Sequence, residues 1–266
     1  KVNSEEFQDW WLWTTADKHA VFYTQLPLWM MNVSVNCPQV EGERWNQFLV
    51  RFLNERIFSQ EPRPDGLFGD NPTCYIHWLN QEILGIRGLG NIDSDLDGKA
   101  DPKRSLDAAW CAGQMEFYGL IREKMGEEFL IITNKGELDL VVAEGDYTDG
   151  IMFEHFPNAY LGDRTAGGWY QSMRNYLFAG KHSIIQTKWP VDDDHFSYVL
   201  ASALLGDGYF MVGHAYWKWR AEYDQALKLG EPRTDAREMD GCWARWFENG
   251  AVMVWPESRE GRIFVK

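Results

Sequence analysis

The chain has 266 residues, enough for one large domain or two small ones with a substantial core. Its formal net charge of −14 repels phosphate backbones and anionic headgroups, which argues against nucleic-acid binding and membrane docking. With 45% hydrophobic and 25% charged residues and no long apolar run, the composition predicts a folded protein without membrane insertion.

Aromatic residues are frequent, with 14 Trp, 11 Tyr and 15 Phe. Large rings dominate core burial, so many of them are expected in the core, Trp45 and Trp110 among them. Because the flat C–H faces of sugar rings stack on indole, a carbohydrate-binding surface is the additional interpretation. The candidate stacking platforms are Trp78, Trp169, Trp189, Trp217 and Trp219.

Short apolar runs that end in polar residues alternate with helical patterns along most of the chain. Strands are predicted over residues 20–24, 29–35, 66–70, 129–133, 150–154, 182–187 and 209–212. Helices are predicted over residues 43–57, 105–125, 167–178 and 196–205. This alternation is typical of βα units around a parallel sheet.

The simplest fold for such a series is an α/β fold of the (β/α)₈ TIM-like barrel type. Its first strand lies within residues 7–15 or is absent from this chain. A doubly wound open sheet is the alternative, but it normally has a Gly-rich phosphate loop after its first strand, and none is found.

The barrel is predicted to span residues 1–230, with an insertion over 71–104. Residues 242–247 and 251–255 alternate around a tight-turn signal and predict a β-hairpin, with 261–265 as a further candidate strand. We therefore expect residues 231–266 to form a short extension packed on the barrel.

Polar residues close several of the predicted strands, where barrels keep their active sites. Asp70 and Glu154 each end a strand, and a carboxylate pair is the usual machinery of glycoside hydrolysis. Each could instead cap the following helix or face solvent. The candidate substrate-binding residues are Tyr23, Asn134, Lys135, Lys188, Trp189, His214 and Trp217.

An acidic stretch in the insertion matches positions 1, 3, 5, 6 and 9 of a calcium loop with Asp93, Asp95, Asp97, Gly98 and Asp101. Position 12 is Arg104 rather than the bidentate Glu, and Asp107 is the candidate replacement. The four aspartates are the predicted ligands of a structural calcium, while the chemistry itself requires no cofactor. A solvated acidic loop is the alternative, and a DXD motif of a glycosyltransferase is another.

Several motifs resemble hypothetical glycosyl hydrolase family 15 and its polygalactosaminidase-like relatives. They are Asp65–Asn71, Asp149–Phe156, residues 93–98 with 106–110, and residues 229–232 with 246–250. The resemblance implies a TIM-like barrel that hydrolyses glycosidic bonds. By analogy with α-galactosidase-like barrels, it makes Asp70 the nucleophile and Glu154 the acid/base, or the reverse. The chain departs from the pattern at Trp255, where Asn is expected.

Together these observations predict a glycoside hydrolase that cleaves an oligo- or polysaccharide with two carboxylates. A non-catalytic carbohydrate-binding barrel is the main alternative, and a metal-dependent glycosyltransferase is a further one. The acidity suits a saline setting or an extracellular or secreted protein, but intracellular acidic proteins are common too.

Overall fold

The computed structural model describes residues 5–16, 18–19, 30–80, 90–134, 147–157, 166–179, 182–187, 192–213 and 218–266. The chain divides into two compact units. The first comprises Lys1–Leu67 and Pro72–Leu130, and the second comprises Phe68–Asn71 and Ile131–Lys266.

The regular elements are five α-helices and twelve strands in the part of the chain that is described. The helices are α1 (Trp45–Leu53), α2 (Lys103–Met125), α3 (Ala166–Phe178), α4 (Asp193–Leu204) and α5 (Ala221–Lys228). The strands are β1 (Trp13–Thr14), β2 (Lys18–His19), β3 (Gly66–Asp70), β4 (Ile92–Asp93), β5 (Leu130–Asn134), β6 (Gly150–Phe153), β7 (Ile184–Thr187), β8 (Tyr209–Val212), β9 (Arg237–Met239), β10 (Cys242–Phe247), β11 (Gly250–Trp255) and β12 (Glu260–Val265).

The first unit combines α1 and α2 with a small antiparallel ribbon of order β2-β1-β4. Its core includes Leu12, Ile92 and Leu106, each at most 1% exposed. A disulfide joins Cys74 to Cys111 on α2. The sequence left the pairing of the four cysteines open, and this unit supplies the one bridge found among the described residues.

The main sheet has the strand order β3-β5-β6-β7-β8. The second unit contains the end of β3 and nearly all of the other four strands. Strands β5 to β8 pair in parallel with their neighbours. Strand β6 is buried at all four positions, because a central parallel strand is covered on both faces. Ile151, Phe153 and Ile185 form a core with Trp169 of α3 and Tyr198 of α4.

The C-terminal residues form an antiparallel sheet of order β12-β11-β10-β9. Val252 and Val254 are fully buried in the same core as the parallel sheet. Arg245 is 5% exposed and donates to the Gly206 carbonyl and to the Asp207 carboxylate, both in the turn before β8. The extension is therefore integral to the second unit.

Of the two candidate N-terminal strands, the one over 29–35 is wrong where the structure describes it, and the one within 7–15 is reduced to a short strand. Within 7–15, the chain forms a 3₁₀ helix over Glu5–Trp10 and only the two-residue strand β1. Within 29–35, residues 30–35 make one isolated bridge, from Met31 to Trp11. The reason is local: Asn32 Oδ1 accepts from both the amide and the hydroxyl of Ser34, and such bonds compete with a strand ladder.

The α/β class is confirmed, and the strands predicted over 66–70, 129–133, 150–154, 182–187 and 209–212 all form. The eight-stranded barrel is not confirmed: five parallel strands occur in the described part of the chain. The predicted hairpin forms as β10 and β11, but within a four-stranded sheet. Strand β9 was not predicted, because its Arg-Glu-Met sequence is exposed throughout and has no apolar alternation. The division into barrel and extension stays a prediction, as does the strand over 20–24, which lies outside the described residues.

Candidate active site

Three polar side chains meet where neighbouring parallel strands end. Asp70 is the last residue of β3, Asn134 is the last residue of β5, and Glu154 directly follows β6. Since these strands are neighbours in the sheet, their carboxyl ends lie along one edge. The fold thus brings together three residues that are far apart in the sequence.

The Asn134 amide bridges the two carboxylates. Its Nδ2 donates to Asp70 Oδ1 at 2.8 Å and to Glu154 Oε2 at 3.1 Å. A side-chain amide carries two N–H groups, so it can serve both acceptors. Because both bonds meet at one nitrogen, these two oxygens lie at most about 5.9 Å apart.

The other carboxylate oxygens have partners from adjacent residues. Asp70 Oδ2 accepts a hydrogen bond from Asn71 Nδ2 at 2.9 Å. Glu154 Oε1 lies 3.6 Å from His155 Nε2. The Glu154 side chain is 31% exposed, whereas Asp70 is exposed, so the two carboxylates sit in different surroundings.

A sharp turn directly follows Glu154 and sets the direction of the Glu154 side chain at the end of β6. His155 has a φ of 58°, in the left-handed region. Its amide donates to Gln186 Oε1 at 3.2 Å, and the Phe156 amide donates to the Gln186 carbonyl at 2.8 Å. Phe156 is 2% exposed, which anchors the far side of the turn in the core.

Three residues of this site were missed by the sequence analysis: Asn71, His155 and Gln186. The first two directly follow the predicted carboxylates, and that adjacency was an available signal. Gln186 is the one amide in the otherwise apolar or hydroxyl-bearing strand β7, and it is only 9% exposed. A buried amide is expected to have hydrogen-bond partners, which is how it could have been found.

Six predicted substrate-binding residues lie outside the described residues: Tyr23, Lys135, Lys188, Trp189, His214 and Trp217. They stay predictions. Asn134 is the predicted substrate-binding residue that the structure does describe, and it lies between the two carboxylates.

The candidate stacking platforms have different surroundings. Trp169 is fully buried, and its indole donates to Ser202 Oγ at 2.8 Å, so its prediction as a platform is wrong. Trp169 lies on the apolar face of α3, which packs into the core. Trp78 is half-buried and belongs to the first unit. Trp219 is 61% exposed in the second unit.

The acidic loop of the first unit brings together three of its four predicted ligands. Carboxylate oxygens of Asp93, Asp95 and Asp97 all lie within 4.8 Å of one another. Asp101 does not join them, because its Oδ2 accepts from the amide and hydroxyl of Ser94.

Much of this loop is held by its own backbone. Asp93 accepts from the amides of Asp97 and Gly98, at 3.1 and 2.9 Å. Burial raises the pKa of the Asp93 carboxyl above its ordinary value, and these two amides act in the opposite direction. Gly98 has a φ of 81°, as the predicted sharp turn requires.

Asp107, the candidate replacement at the twelfth position, has other partners. Its Oδ1 accepts from the amides of Ile76 and His77, and its Oδ2 contacts the His77 ring. These contacts anchor the start of the insertion to α2, and Asp107 is not among the three converging carboxylates. Its role as a calcium ligand stays a prediction.

None of the described helices is both long and apolar enough to cross a lipid bilayer. A comparison with curated proteins gives no match. The model of hypothetical glycosyl hydrolase family 15 matches residues 1–251, nearly the whole chain. The chain therefore belongs to hypothetical glycosyl hydrolase family 15.

Proposed function

We propose that this protein hydrolyses glycosidic bonds of an oligo- or polysaccharide, with Asp70 and Glu154 as the catalytic pair. The observation that carries the proposal is the Asn134 amide, which donates to both carboxylates at the ends of neighbouring strands. Membership of a glycosyl hydrolase family supports the same class of reaction.

The proposed mechanism needs one carboxylic acid and one carboxylate. A glycosidic oxygen is a poor leaving group, so the acid donates its proton to that oxygen as the C–O bond breaks. The carboxylate attacks the anomeric carbon and forms a glycosyl–enzyme ester. Water then displaces the carboxylate and gives its proton back to the first residue.

The hydrogen bonds to Asn134 set an upper limit on the separation of one oxygen of each carboxylate. Retaining enzymes hold their carboxyl groups about 5–5.5 Å apart, and inverting enzymes about 6.5–9.5 Å apart. The shared Asn134 nitrogen keeps Asp70 Oδ1 and Glu154 Oε2 within about 5.9 Å of each other, which is compatible with the retaining spacing. Following the resemblance to α-galactosidase-like barrels, we assign Asp70 as nucleophile and Glu154 as acid/base.

The test is the release of reducing ends from polysaccharides by the wild-type protein, Asp70→Asn and Glu154→Gln. Each amide keeps the shape of the side chain but can neither attack nor transfer the proton. We expect turnover to fall by about 10²- to 10⁴-fold in each variant.

Glu257→Gln is the matched control, because Glu257 is exposed in the same unit and lies in the turn between β11 and β12 rather than at the end of a parallel strand. Circular dichroism would verify that all the variants fold. Near-wild-type turnover in either carboxylate variant contradicts the assignment. Saccharide binding by the wild type without any product would favour the non-catalytic alternative.

An extracellular or secreted location is part of the proposal. The Cys74–Cys111 disulfide supports it, because such bonds persist in oxidising compartments and are rare in the cytosol. The acidic net charge of −14 is compatible with that setting.

A further inference from the structure

The second unit contains a groove of about 700 Å³ between α4, α5 and β12. Its lining includes Asp193, Lys218, Trp219, Arg220, Glu222 and Phe264. None of these residues belongs to the Asp70–Asn134–Glu154 cluster. We propose that this groove is an accessory saccharide-binding site, in addition to the proposed catalytic site.

The first argument is that Trp219 is exposed and yet held in place. It is 61% exposed, but its indole Nε1 donates to Asp224 Oδ1 at 3.0 Å. Its ring also contacts Tyr223, with 5.1 Å between the ring centroids. A flat apolar ring that is already fixed can stack on a sugar face at little cost in conformational entropy.

The second argument concerns the charges beside that ring. Arg220 is ion-paired with Asp193 and lies 3.8 Å from Glu222, so its charge is largely compensated. Its guanidinium also lies over the Phe196 ring, 4.1 Å from the centroid. The lining thus combines the cations Lys218, Arg220 and Arg262 with the carboxylates Asp193 and Glu222, and this mixture of donors and acceptors suits sugar hydroxyl groups.

The third argument is a second exposed aromatic ring in the lining. Phe264 on β12 is 44% exposed and lines the groove together with Arg262. Two exposed aromatic rings and several polar groups in one groove are a suitable arrangement for a chain of sugar rings, which have apolar faces and polar edges. The choice of a saccharide as ligand rests on the proposed function, while the existence of the groove does not.

The test uses a panel of immobilised neutral and amino-sugar oligosaccharides of roughly two to six units. Binding is measured with full-length Asp70→Asn, so that hydrolysis does not remove the probe. We expect Trp219→Ala in this background to weaken binding by about fivefold to tenfold, since stacking on one aromatic ring contributes roughly 1 kcal/mol. Trp219→Tyr retains a ring and should retain most of the binding.

Phe178→Ala is the matched control, because Phe178 is 63% exposed in the same unit but does not line the groove. It should bind as the Asp70→Asn parent does. Equal binding by the Trp219→Ala variant and the parent overturns the proposal, as does binding of no saccharide on the panel. Competition by inorganic phosphate would identify an anion site and overturn it too. These outcomes are separate from turnover in the carboxylate variants, which decides the proposed catalytic function.

Discussion

Two groups of carboxylates in this protein differ in what holds them together. Asp70 and Glu154 come from different strands and share one amide from a third strand. Asp93 and Asp97 come from a single loop, and Asp93 accepts hydrogen bonds from the backbone of that loop. The first group exists only because the sheet forms, whereas the second organises its own turn. Acidic spacing alone is therefore weaker evidence of a functional site than convergence from distant strands.

Removing the carboxylates at the strand ends should produce the largest effect. Asp70→Ala and Glu154→Ala are each expected to lower turnover by about 10²- to 10⁴-fold. Sodium azide should restore activity to both, because a small anion can occupy the space of the deleted group. With Asp70 as nucleophile, Asp70→Ala should give a glycosyl azide of inverted configuration and Glu154→Ala one of retained configuration, as measured by proton NMR.

The opposite pair of products would exchange the two roles and leave the site assignment intact. A comparable loss of turnover in Asp97→Ala would break the distinction between the two groups of carboxylates. Glu257→Ala serves as the control for removing an exposed carboxylate elsewhere.

Replacing Asn134, whose amide bridges the two carboxylates, should lower turnover less than replacing either carboxylate. Asn134→Asp preserves the side-chain shape but removes both N–H donors and adds a third carboxyl group to the cluster. We expect kcat to fall by about tenfold or more with a smaller change in KM, since a misplaced reacting group costs rate more than binding. Steady-state kinetics checks this, with Gln60→Glu as an exposed amide-to-acid control. Unchanged kcat would mean that the two carboxylates are positioned without the amide.

The sequence predicted the central part of this site because one rule covers it. Strands that end in polar residues place those residues at one edge of a parallel sheet, and Asp70, Asn134 and Glu154 follow that rule. Gln186 was not predicted, because its role is to accept a hydrogen bond from the backbone of the turn that follows β6. Such a contact depends on the pairing of β6 with β7 and cannot be seen in a local pattern.

The errors in the first unit have a different origin. Strands were suggested within residues 7–15 and over 29–35. Within 7–15 most of the backbone forms a 3₁₀ helix instead, and within 29–35 the amide of Ser34 bonds to a side chain rather than to a neighbouring strand. Asn32 illustrates this: it is 1% exposed, accepts from Ser34 and donates to the Ser94 carbonyl at 2.7 Å. Polar residues with tertiary partners inside an apolar run can override strand propensity.

Asp107 on α2 offers a test of the anchoring role that its hydrogen bonds indicate. Because this carboxylate accepts from two backbone amides and contacts the His77 ring, Asp107→Ala should leave those donors without a partner. We expect a loss of about 1–3 kcal/mol in the free energy of unfolding, measured by urea denaturation. Glu123→Ala, an exposed change on the same helix, is the control. A destabilisation no greater than that of the control would contradict the anchoring role.

The smallest expected effect is the one that decides the nature of the acidic loop. If Asp93, Asp95 and Asp97 bind calcium with a dissociation constant near 1 mM, about 10 mM calcium should raise the melting temperature by about 3–5 °C. Asp93→Asn should abolish that increase, because it removes the buried ligand, whereas Asp194→Asn on the exposed start of α4 should preserve it. An unchanged melting temperature would mean that the loop's own amides already satisfy its carboxylates. The acidic loop would then be a self-contained turn, in contrast to the proposed catalytic pair of Asp70 and Glu154.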